Sequence, residues 1–311
     1  MSNSRRDFVK AAAGLGLGAA AMAEGDGIPR RPLGRTGLQV SILGLGGAPI
    51  GNLPDQKDAV SVVRRCYDLG VTYFDTAAAG AYGLSQARYG VALKDFREKI
   101  VLATKSRHRT QTQAQLDLDQ SLSSLKTNRL DLYQVHNVIN DEDIEFIFAP
   151  RGVMEMIEKA RKAGKIRFVG VTGHTDPLVL NKILGWYPFD TILMPLSVTD
   201  GGNRQKSFEQ TTVPLAQKKG LGIIAMKTLG GGRIVREKAA SVEDCLRYVW
   251  SLPVSTAIVG IGELAQAEAA ARLSRQARPL SAASRESLRL DLSRLEPWKG
   301  RPAHQERYAA D

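Results

Sequence analysis

Short apolar segments alternate with longer amphipathic segments through most of this chain, and eight such pairs can be counted. Several apolar segments, such as residues 221–226, carry no charged side chain, which is typical of strands buried on both faces. Eight strand–helix pairs in about 250 residues favour an α/β fold of the (β/α)8 TIM barrel type over a doubly wound sheet. No Gly-x-Gly-x-x-Gly turn follows the first predicted strand, which argues against a Rossmann domain.

The predicted barrel begins with a β-hairpin over residues 31–46, whose turn is Thr36-Gly37 and whose second half contains the first barrel strand. The later strands are predicted at 71–75, 99–104, 130–135, 166–171, 191–196, 221–226 and 256–259. Helices are predicted at 55–69, 85–96, 112–125, 152–163, 177–186, 207–219, 242–252, 264–274 and 281–295.

These elements divide the chain into three parts: a leader at 1–23, the barrel at 24–278 and a C-terminal helical tail at 279–311. The tail either lines a substrate pocket or packs on the outside of the barrel. We favour packing on the barrel. The two cysteines, Cys66 and Cys245, lie in predicted helices without metal-ligand spacing, so we expect them to pack in the core.

Ionisable side chains stand at the carboxyl ends of three successive predicted strands. Asp75 ends one strand, Lys105 follows the next, and His136 follows the third, while Tyr82 lies in the loop after Asp75. A carboxylate ending a strand of apolar residues needs a cation or a hydrogen-bond donor. Because the carboxyl ends of parallel barrel strands meet at one mouth, the sequence predicts that these four side chains gather there.

The order of these residues along the chain resembles the aldo-keto reductase family. The motifs that carry the resemblance are Phe74-Asp75-Thr76-Ala77, Tyr82-Gly83-Leu84-Ser85, Ala103-Thr104-Lys105 and Val135-His136, with support from residues 32–38, 170–173 and 257–260. The resemblance covers residues 29–276 and implies hydride transfer between a nicotinamide cofactor and a small-molecule carbonyl substrate. It implies four catalytic residues, Asp75, Tyr82, Lys105 and His136.

Carbonyl reduction needs a proton donor at the carbonyl oxygen, and the resemblance gives this role to Tyr82. A free phenol titrates near pH ~10, which is too high for an efficient acid at neutral pH. A neighbouring ammonium favours the phenolate, so Lys105 would activate the acid and Asp75 would hold the lysine in place. His136 would hydrogen-bond the carbonyl oxygen and orient the substrate.

The spacing of the tyrosine departs from the family pattern. Tyrosine usually stands five residues after the aspartate, where this chain has Gly80, whereas Tyr82 stands seven residues after Asp75. In one interpretation the loop holds two extra residues and the phenol still reaches the site. In the other the acid is misplaced and the barrel binds cofactor without efficient turnover. The intact stretch 82–86 favours the first interpretation.

The resemblance implies NADPH as cofactor, with NADH possible and no metal. The matching cofactor-binding positions are Gly46, Gly47, Asp75, Thr172, Gly173, Leu196, Ser197, Met226, Lys227, Leu229, Gly231, Gly260, Gly262 and Gln266. The glycines of 226–232 either admit a phosphate to backbone N–H groups or form a flexible turn. Leu196 replaces the usual ring-stacking aromatic residue. The basic residue expected shortly after Gly260 is missing, and we consider Arg272 as its substitute.

The first residues resemble an export signal. Residues 4–10 match the twin-arginine (Tat) pattern, and a weakly apolar stretch at 11–21 follows that is too short and glycine-rich to form a stable membrane span. Ala21-Met22-Ala23 offers a cleavage site after Ala23. We therefore expect a Tat signal peptide, recognition by the Tat export machinery, folding in the cytoplasm and a periplasmic or exported protein. A disordered alanine-rich N-terminus is the alternative.

Three functions compete at this stage. We favour an NADP(H)-dependent oxidoreductase that reduces aldehydes or ketones. The alternative is a non-catalytic or sensory nicotinamide-binding barrel, and the third is a Schiff-base lyase using Lys105, which Asp75 disfavours by keeping the amine protonated. The net charge of +11 is scattered and not interleaved with stacking aromatics, so we expect no nucleic-acid partner. His174 either reaches the pocket or caps the next helix.

Overall fold

The computed structural model describes residues 27–200 and 207–293 of the chain. The predicted Tat leader and its cleavage site lie outside the described residues, as does the end of the tail. Eight parallel strands close into a barrel in the order β10-β3-β4-β5-β6-β7-β8-β9. The ten strands are β1 Arg30–Pro32, β2 Gln39–Ser41, β3 Leu43–Gly46, β4 Tyr73–Asp75, β5 Val101–Ser106, β6 Leu130–Val135, β7 Ile166–Thr172, β8 Thr191–Pro195, β9 Gly222–Met226 and β10 Thr256–Gly260.

Strands β1 and β2 pair antiparallel and form the predicted N-terminal hairpin. Gly37 closes its turn with a φ of 76°, a left-handed conformation that glycine adopts without steric cost. The hairpin lies at the amino end of the barrel, because Arg35 N donates to Gly220 O at 3.0 Å, just before β9. The predicted (β/α)8 barrel with an N-terminal hairpin is therefore confirmed.

Helices cover the outside of the strands and also interrupt the loops at the carboxyl mouth. They are α1 Ala48–Asn52, α2 Gln56–Asp68, α3 Ala79–Tyr82, α4 Ser85–Ala92, α5 Gln111–Ser124, α6 Asp141–Phe148, α7 Val153–Lys162, α8 Pro177–Ile183, α9 Phe208–Lys218, α10 Arg233–Arg236, α11 Val242–Trp250, α12 Leu264–Arg275 and α13 Ala282–Ser293. Side chains of Asp55, Thr110, Ser207 and Ser241 accept hydrogen bonds from the first turns of α2, α5, α9 and α11.

Four helices were not predicted: α1, α3, α6 and α10, which follow β3, β4, β6 and β9. Three of them have four or five residues, too short for a 3.6-residue apolar period to be recognised. Helix α6 lies in the connection that was predicted without a helix, and Asn140 caps it. Two predicted helices were too long, since 85–96 ends at Ala92 and 177–186 ends at Ile183.

The core has two layers, as a barrel of continuously apolar strands requires. One layer fills the barrel interior with side chains that include Tyr73, Leu132 and Ile224. The other lies between strands and helices and contains both free cysteines, Cys66 and Cys245, as predicted. Within residues 27–200 and 207–293, no helix is long and apolar enough to cross a membrane.

The first part of the tail contacts the outside of the barrel. Arg285 of α13 donates from Nη1 to Ser251 O at 2.8 Å, at the end of α11. Leu280 N donates to the Ser251 hydroxyl, and Leu292 is buried. These contacts place α13 beside α11.

Candidate active site

A buried ion pair joins the ends of β4 and β5. The parallel register sets Asp75 opposite Ala103, so Asp75 and Lys105 emerge together at the mouth. Lys105 Nζ donates to Asp75 Oδ2 at 2.6 Å and to Thr76 O at 2.9 Å. The Asp75 side chain is 0% exposed and the Lys105 side chain is 1% exposed. Burial raises the pKa of the Asp75 carboxyl and lowers the pKa of the Lys105 ammonium, while their mutual attraction opposes both shifts.

Tyr82 ends the short helix α3 and lies beside this pair. The centroid of its ring is 5.2 Å from Lys105 Nζ. The loop residues before it wind into one helical turn, which advances the chain only about 1.5 Å per residue. Two extra residues therefore displace the tyrosine less than an extended loop would. The helical turn brings the phenol ring back to the lysine.

Helices α1 and α3 touch so closely that only glycine fits at one position. A Cβ at Gly51 would lie 1.7 Å from the carbonyl oxygen of Tyr82. Leu84 N donates to Gly51 O at 3.3 Å, which links the two segments further. The position of Tyr82 thus depends on a backbone contact that its own sequence neighbourhood does not reveal.

Hydrogen bonds hold the strand end that carries Asp75. Gly47 N donates to Asp75 O at 2.8 Å, and a Cβ at Gly47 would lie 2.5 Å from the Ser85 hydroxyl oxygen. Thr76 and Ser85 share a hydroxyl hydrogen bond at 2.8 Å. Gln134 reaches Asp75 Oδ1 with Nε2 at 3.4 Å. Sequence reasoning missed Gln134, although it lies opposite Lys105 on β6 and its polar side chain interrupts an apolar strand.

His136 forms a buried pair with His174. Their Nε2 atoms are 3.1 Å apart, and the rings are nearly perpendicular at 79°. Asp176, not His174, caps helix α8, because its carboxylate accepts from Leu178 N at 2.8 Å. Of the two interpretations of His174, the one that brings it to the pocket is favoured. Burial and then the charges of Lys105, Arg107 and Arg109 hold the pKa of His136 well below its usual value of 6.5.

A cavity of about 290 Å³ opens at the mouth beside Lys105 and His136. One wall consists of small residues, and the other carries charged groups. The lining residues are Ala77, Ala78, Gly80, Ala81, Lys105, Arg107, His108, Asp117 and His136. Gly80, the position at which the family pattern has its tyrosine, lines the cavity, whereas Tyr82 is not among the lining residues and contacts Lys105 through its ring. The cavity can hold a small molecule in reach of both Lys105 and His136.

The residues predicted to bind a cofactor lie at the carboxyl ends of β3, β4, β7, β8, β9 and β10. The hydroxyl of Thr172 is buried and has no hydrogen-bond partner among the described residues, which leaves it available to a ligand. Gly230, Gly231 and Gly232 all have positive φ. Two of their N–H groups are already used within the chain, since Gly230 N donates to Lys227 O at 2.8 Å and Gly232 N donates to Leu229 O at 2.9 Å.

Other predicted cofactor positions are occupied by contacts within the chain. Gln266 Oε1 accepts from Gly262 N at 2.9 Å, and a Cβ at Gly260 would lie 2.9 Å from Pro49. Leu196 is fully buried, and Ser197 is nearly so. Arg272 lies in the last turn of α12, about 12 Å along the helix from its start.

The donor set is compatible with a dinucleotide. The buried hydroxyl of Thr172 has no hydrogen-bond partner within the described chain, and three glycines with positive φ follow β9. Within the same described residues, no group of three or more His, Cys, Asp or Glu side chains could hold a metal ion. A closed parallel barrel with an Asp–Lys pair, a tyrosine and a histidine at its carboxyl mouth defines a TIM-barrel enzyme site.

Comparisons with known proteins identify the class. A profile of the Aldo/keto reductase family matches residues 42–244. L-galactose dehydrogenase of Arabidopsis thaliana is 30% identical over 226 residues, which is 68% of each chain. Aldo-keto reductase YhdN of Bacillus subtilis is 29% identical over 198 residues, 58% of this chain and 56% of its own.

Solved structures share the fold. Holo aldo-keto reductase AKR11C1 from Bacillus halodurans superimposes with a TM-score of 0.70 at 24% identity, covering 84% of this chain and 95% of its own. A putative aldo-keto reductase from Pseudomona aeruginosa gives a TM-score of 0.67 at 26% identity, covering 80% and 94%. The chain belongs to the aldo/keto reductase family and is an oxidoreductase of the type that reduces carbonyls with NAD(P)H.

Proposed function

We propose that this protein reduces aldehydes or ketones with NADPH and that Tyr82 donates the proton. The observation that carries the proposal is the contact of the Tyr82 ring with Lys105 Nζ, whose ammonium is itself held by Asp75. An ammonium beside a phenol stabilises the phenolate, and a buried carboxylate keeps the ammonium in place. The Asp75–Lys105–Tyr82 order is thus an arrangement that can release a proton from the phenol and recover it.

The bound nicotinamide would supply a hydride to the carbonyl carbon. The chain's own residues then act on the carbonyl oxygen, to which Tyr82 would transfer its hydroxyl proton as the alcohol forms. The phenolate left on Tyr82 would be stabilised by Lys105 until a proton returns from solvent. Thr172 would hold the cofactor by hydrogen bonding, and residues 230–232 would face its phosphate groups.

His136 would orient the substrate as a neutral imidazole. Its lowered pKa keeps the ring uncharged at neutral pH, so it can donate one N–H to an oxygen without bringing a charge. The hydrogen bond with His174 restrains the ring, and the wall of the cavity includes His136. A carbonyl group in the cavity would therefore have a fixed direction relative to Lys105 and Tyr82.

NADPH is the cofactor we propose on the family resemblance, with NADH as the second candidate. The glycine loop at 230–232 is the segment we propose for the bridging phosphates that both dinucleotides share. The candidate for a 2′-phosphate ligand is Arg272, in the last turn of α12. Dissociation constants of the two cofactors measured on the full chain would decide between them.

We also propose export through the twin-arginine pathway, which rests on residues 4–10 alone. Replacing both Arg5 and Arg6 by lysine should retain the protein in the cytoplasm of a bacterium that has the pathway. Fractionation of cells expressing the original and altered chains provides the test. Equal distribution of both chains would argue against export by this route.

The test of the function is NADPH binding and oxidation by the full chain with a panel of aldehydes and ketones. Turnover to alcohol that is lost in Lys105→Met supports the reductase. Tight NADPH binding without turnover on any carbonyl selects the sensory alternative. Borohydride trapping of a carbonyl compound on Lys105 would instead support the lyase, for which a protonated, carboxylate-bound amine is a poor starting state.

A further inference from the structure

The cavity beside the site combines a wall of small residues with a charged wall, and it differs in this from a pocket for bulky apolar substrates. Ala77, Ala78, Gly80 and Ala81 form the first wall, and none of the described lining residues is aromatic. Its volume of about 290 Å³ lies at the lower end of the range for small-molecule pockets. The cavity therefore fits a short molecule rather than a fused-ring one.

Most charges around this cavity are neutralised within the chain. Lys105 is bound to Asp75 at 2.6 Å. Asp117 accepts from the Ser106 hydroxyl at 2.5 Å and pairs with His108 at 2.8 Å. Both groups are therefore engaged by partners within the chain.

Arg107 is the exception among the described residues that line the cavity. It follows the end of β5 directly, it is exposed, and its guanidinium makes no hydrogen bond or ion pair within the described chain. The neighbouring Arg109, in contrast, is bound to Asp143 at 2.5 Å. The positive charge of Arg107 is also felt at His136, where it helps to lower the pKa of the ring. The charged wall thus presents one cation whose guanidinium has no bonded partner among the described residues.

Arg107 lies at a different part of the barrel mouth from the loops that are predicted to bind the cofactor phosphates. The loops predicted to bind the cofactor phosphates follow β9 and β10, which are neighbours in the barrel. Strand β5 lies three strands from β10 and four from β9. An anion that Arg107 binds must therefore come from another molecule than the phosphate-bearing part of the dinucleotide.

We propose that the substrates are short carbonyl compounds that carry a carboxylate, and that Arg107 binds this carboxylate while the carbonyl group faces Lys105 and His136. A guanidinium matches a carboxylate in geometry and charge, and it can form two parallel hydrogen bonds. The small wall admits the intervening carbon chain. This inference rests on the proposed reductase function and assigns its substrate class.

The test compares two aldehydes of equal length, 4-oxobutanoate with a carboxylate and butanal without one. Initial rates of NADPH oxidation by the full chain give kcat/KM for each. The wild type is expected to prefer 4-oxobutanoate at least tenfold. Arg107→Gln should abolish this preference by raising KM for 4-oxobutanoate, with rates on butanal unchanged within twofold, and Arg107→Lys should retain part of it.

A matched control is Arg64→Gln, which removes the same charge from the outer face of α2, where Arg64 pairs with Asp95 at 2.8 Å. It should leave the preference unchanged. A wild type without preference for the acid, or a preference that survives in Arg107→Gln, would overturn the proposal while the reductase function stands.

A binding measurement keeps the proposal testable if no aldehyde is turned over, the result that would refute the reductase function. Calorimetric titration of butyrate into the NADPH-loaded chain should show at least tenfold tighter binding to wild type than to Arg107→Gln. Equal affinities would overturn the carboxylate site. Binding lost in Arg107→Gln without any turnover would retain the anion site in a protein that does not catalyse reduction.

Discussion

The buried Asp75–Lys105 pair should be the most sensitive electrostatic element of the barrel. Lys105→Met would leave the Asp75 carboxyl with a single distant donor, Gln134 Nε2 at 3.4 Å. Removing one partner of a fully buried pair costs about 3–5 kcal/mol, because the other charge stays buried without compensation. Asp75→Asn should fall at the lower end of this range, since Lys105 keeps Thr76 O at 2.9 Å and an amide oxygen in place of the carboxylate.

Urea unfolding followed by circular dichroism at neutral pH measures these changes, and a double-mutant cycle isolates the interaction. The double variant should be more stable than the sum of the two single costs implies, by at least about 2 kcal/mol. An exposed pair provides the control: Glu268→Gln, which breaks the contact with Arg65 at 2.9 Å, should cost less than about 1 kcal/mol. Additivity of the two buried substitutions within about 0.5 kcal/mol would refute the coupling.

Three further predictions test other parts of the site. Gly51→Ala, whose Cβ would lie 1.7 Å from the Tyr82 carbonyl oxygen, should lower the free energy of unfolding by about 1–3 kcal/mol and reduce turnover. Gly80→Ala, whose Cβ would have no atom within 4 Å, should leave the stability unchanged. Equal unfolding midpoints of the two variants would contradict this prediction. The lowered pKa of His136 means that the unfolded chain takes up a proton first as the pH falls, so between about pH 6.5 and 5.5 wild type should lose about 1 kcal/mol more stability than His136→Asn. Equal pH slopes would exclude a neutral buried His136. Burial raises the pKa of Asp200 to about 7, so the stability that the protonated carboxyl contributes is lost as the pH rises toward 7. Raising the pH from about 5 to about 8 should therefore lower the free energy of unfolding of wild type more than that of Asp200→Asn. An equal loss in the two proteins would argue against the raised pKa.

The barrel and the meeting of its strand ends could be predicted from the sequence, because both follow from local pattern and topology. Continuously apolar segments such as β9 require burial on both faces, and parallel strands can only bring their carboxyl ends to one side. The contact of Asp75 with Lys105 follows from that register. The position of the cysteines in the core follows from helix periodicity in the same way.

What could not be predicted depends on contacts between loops. The pairing of His136 with His174 joins loops that are 38 residues apart, and no periodicity relates them. The turn of α3 is set by the approach of Gly51 to Tyr82, which is visible only in three dimensions. The position of Arg272 in the last turn of α12 likewise depends on where that helix begins and ends. Sequence patterns predict individual helices and strands, whereas these features depend on contacts between them.

The measurement that tests the account most directly is the rate of NADPH oxidation by Tyr82→Phe, with cofactor binding measured in parallel. Tyr73→Phe is the matched control, because the Tyr73 hydroxyl is buried in the barrel and has no hydrogen-bond partner among the described residues. The account predicts that Tyr82→Phe binds NADPH as wild type does but turns over about 10²–10⁴-fold more slowly, while Tyr73→Phe remains active. Turnover by Tyr82→Phe equal to that of wild type would contradict it and place the proton donor elsewhere.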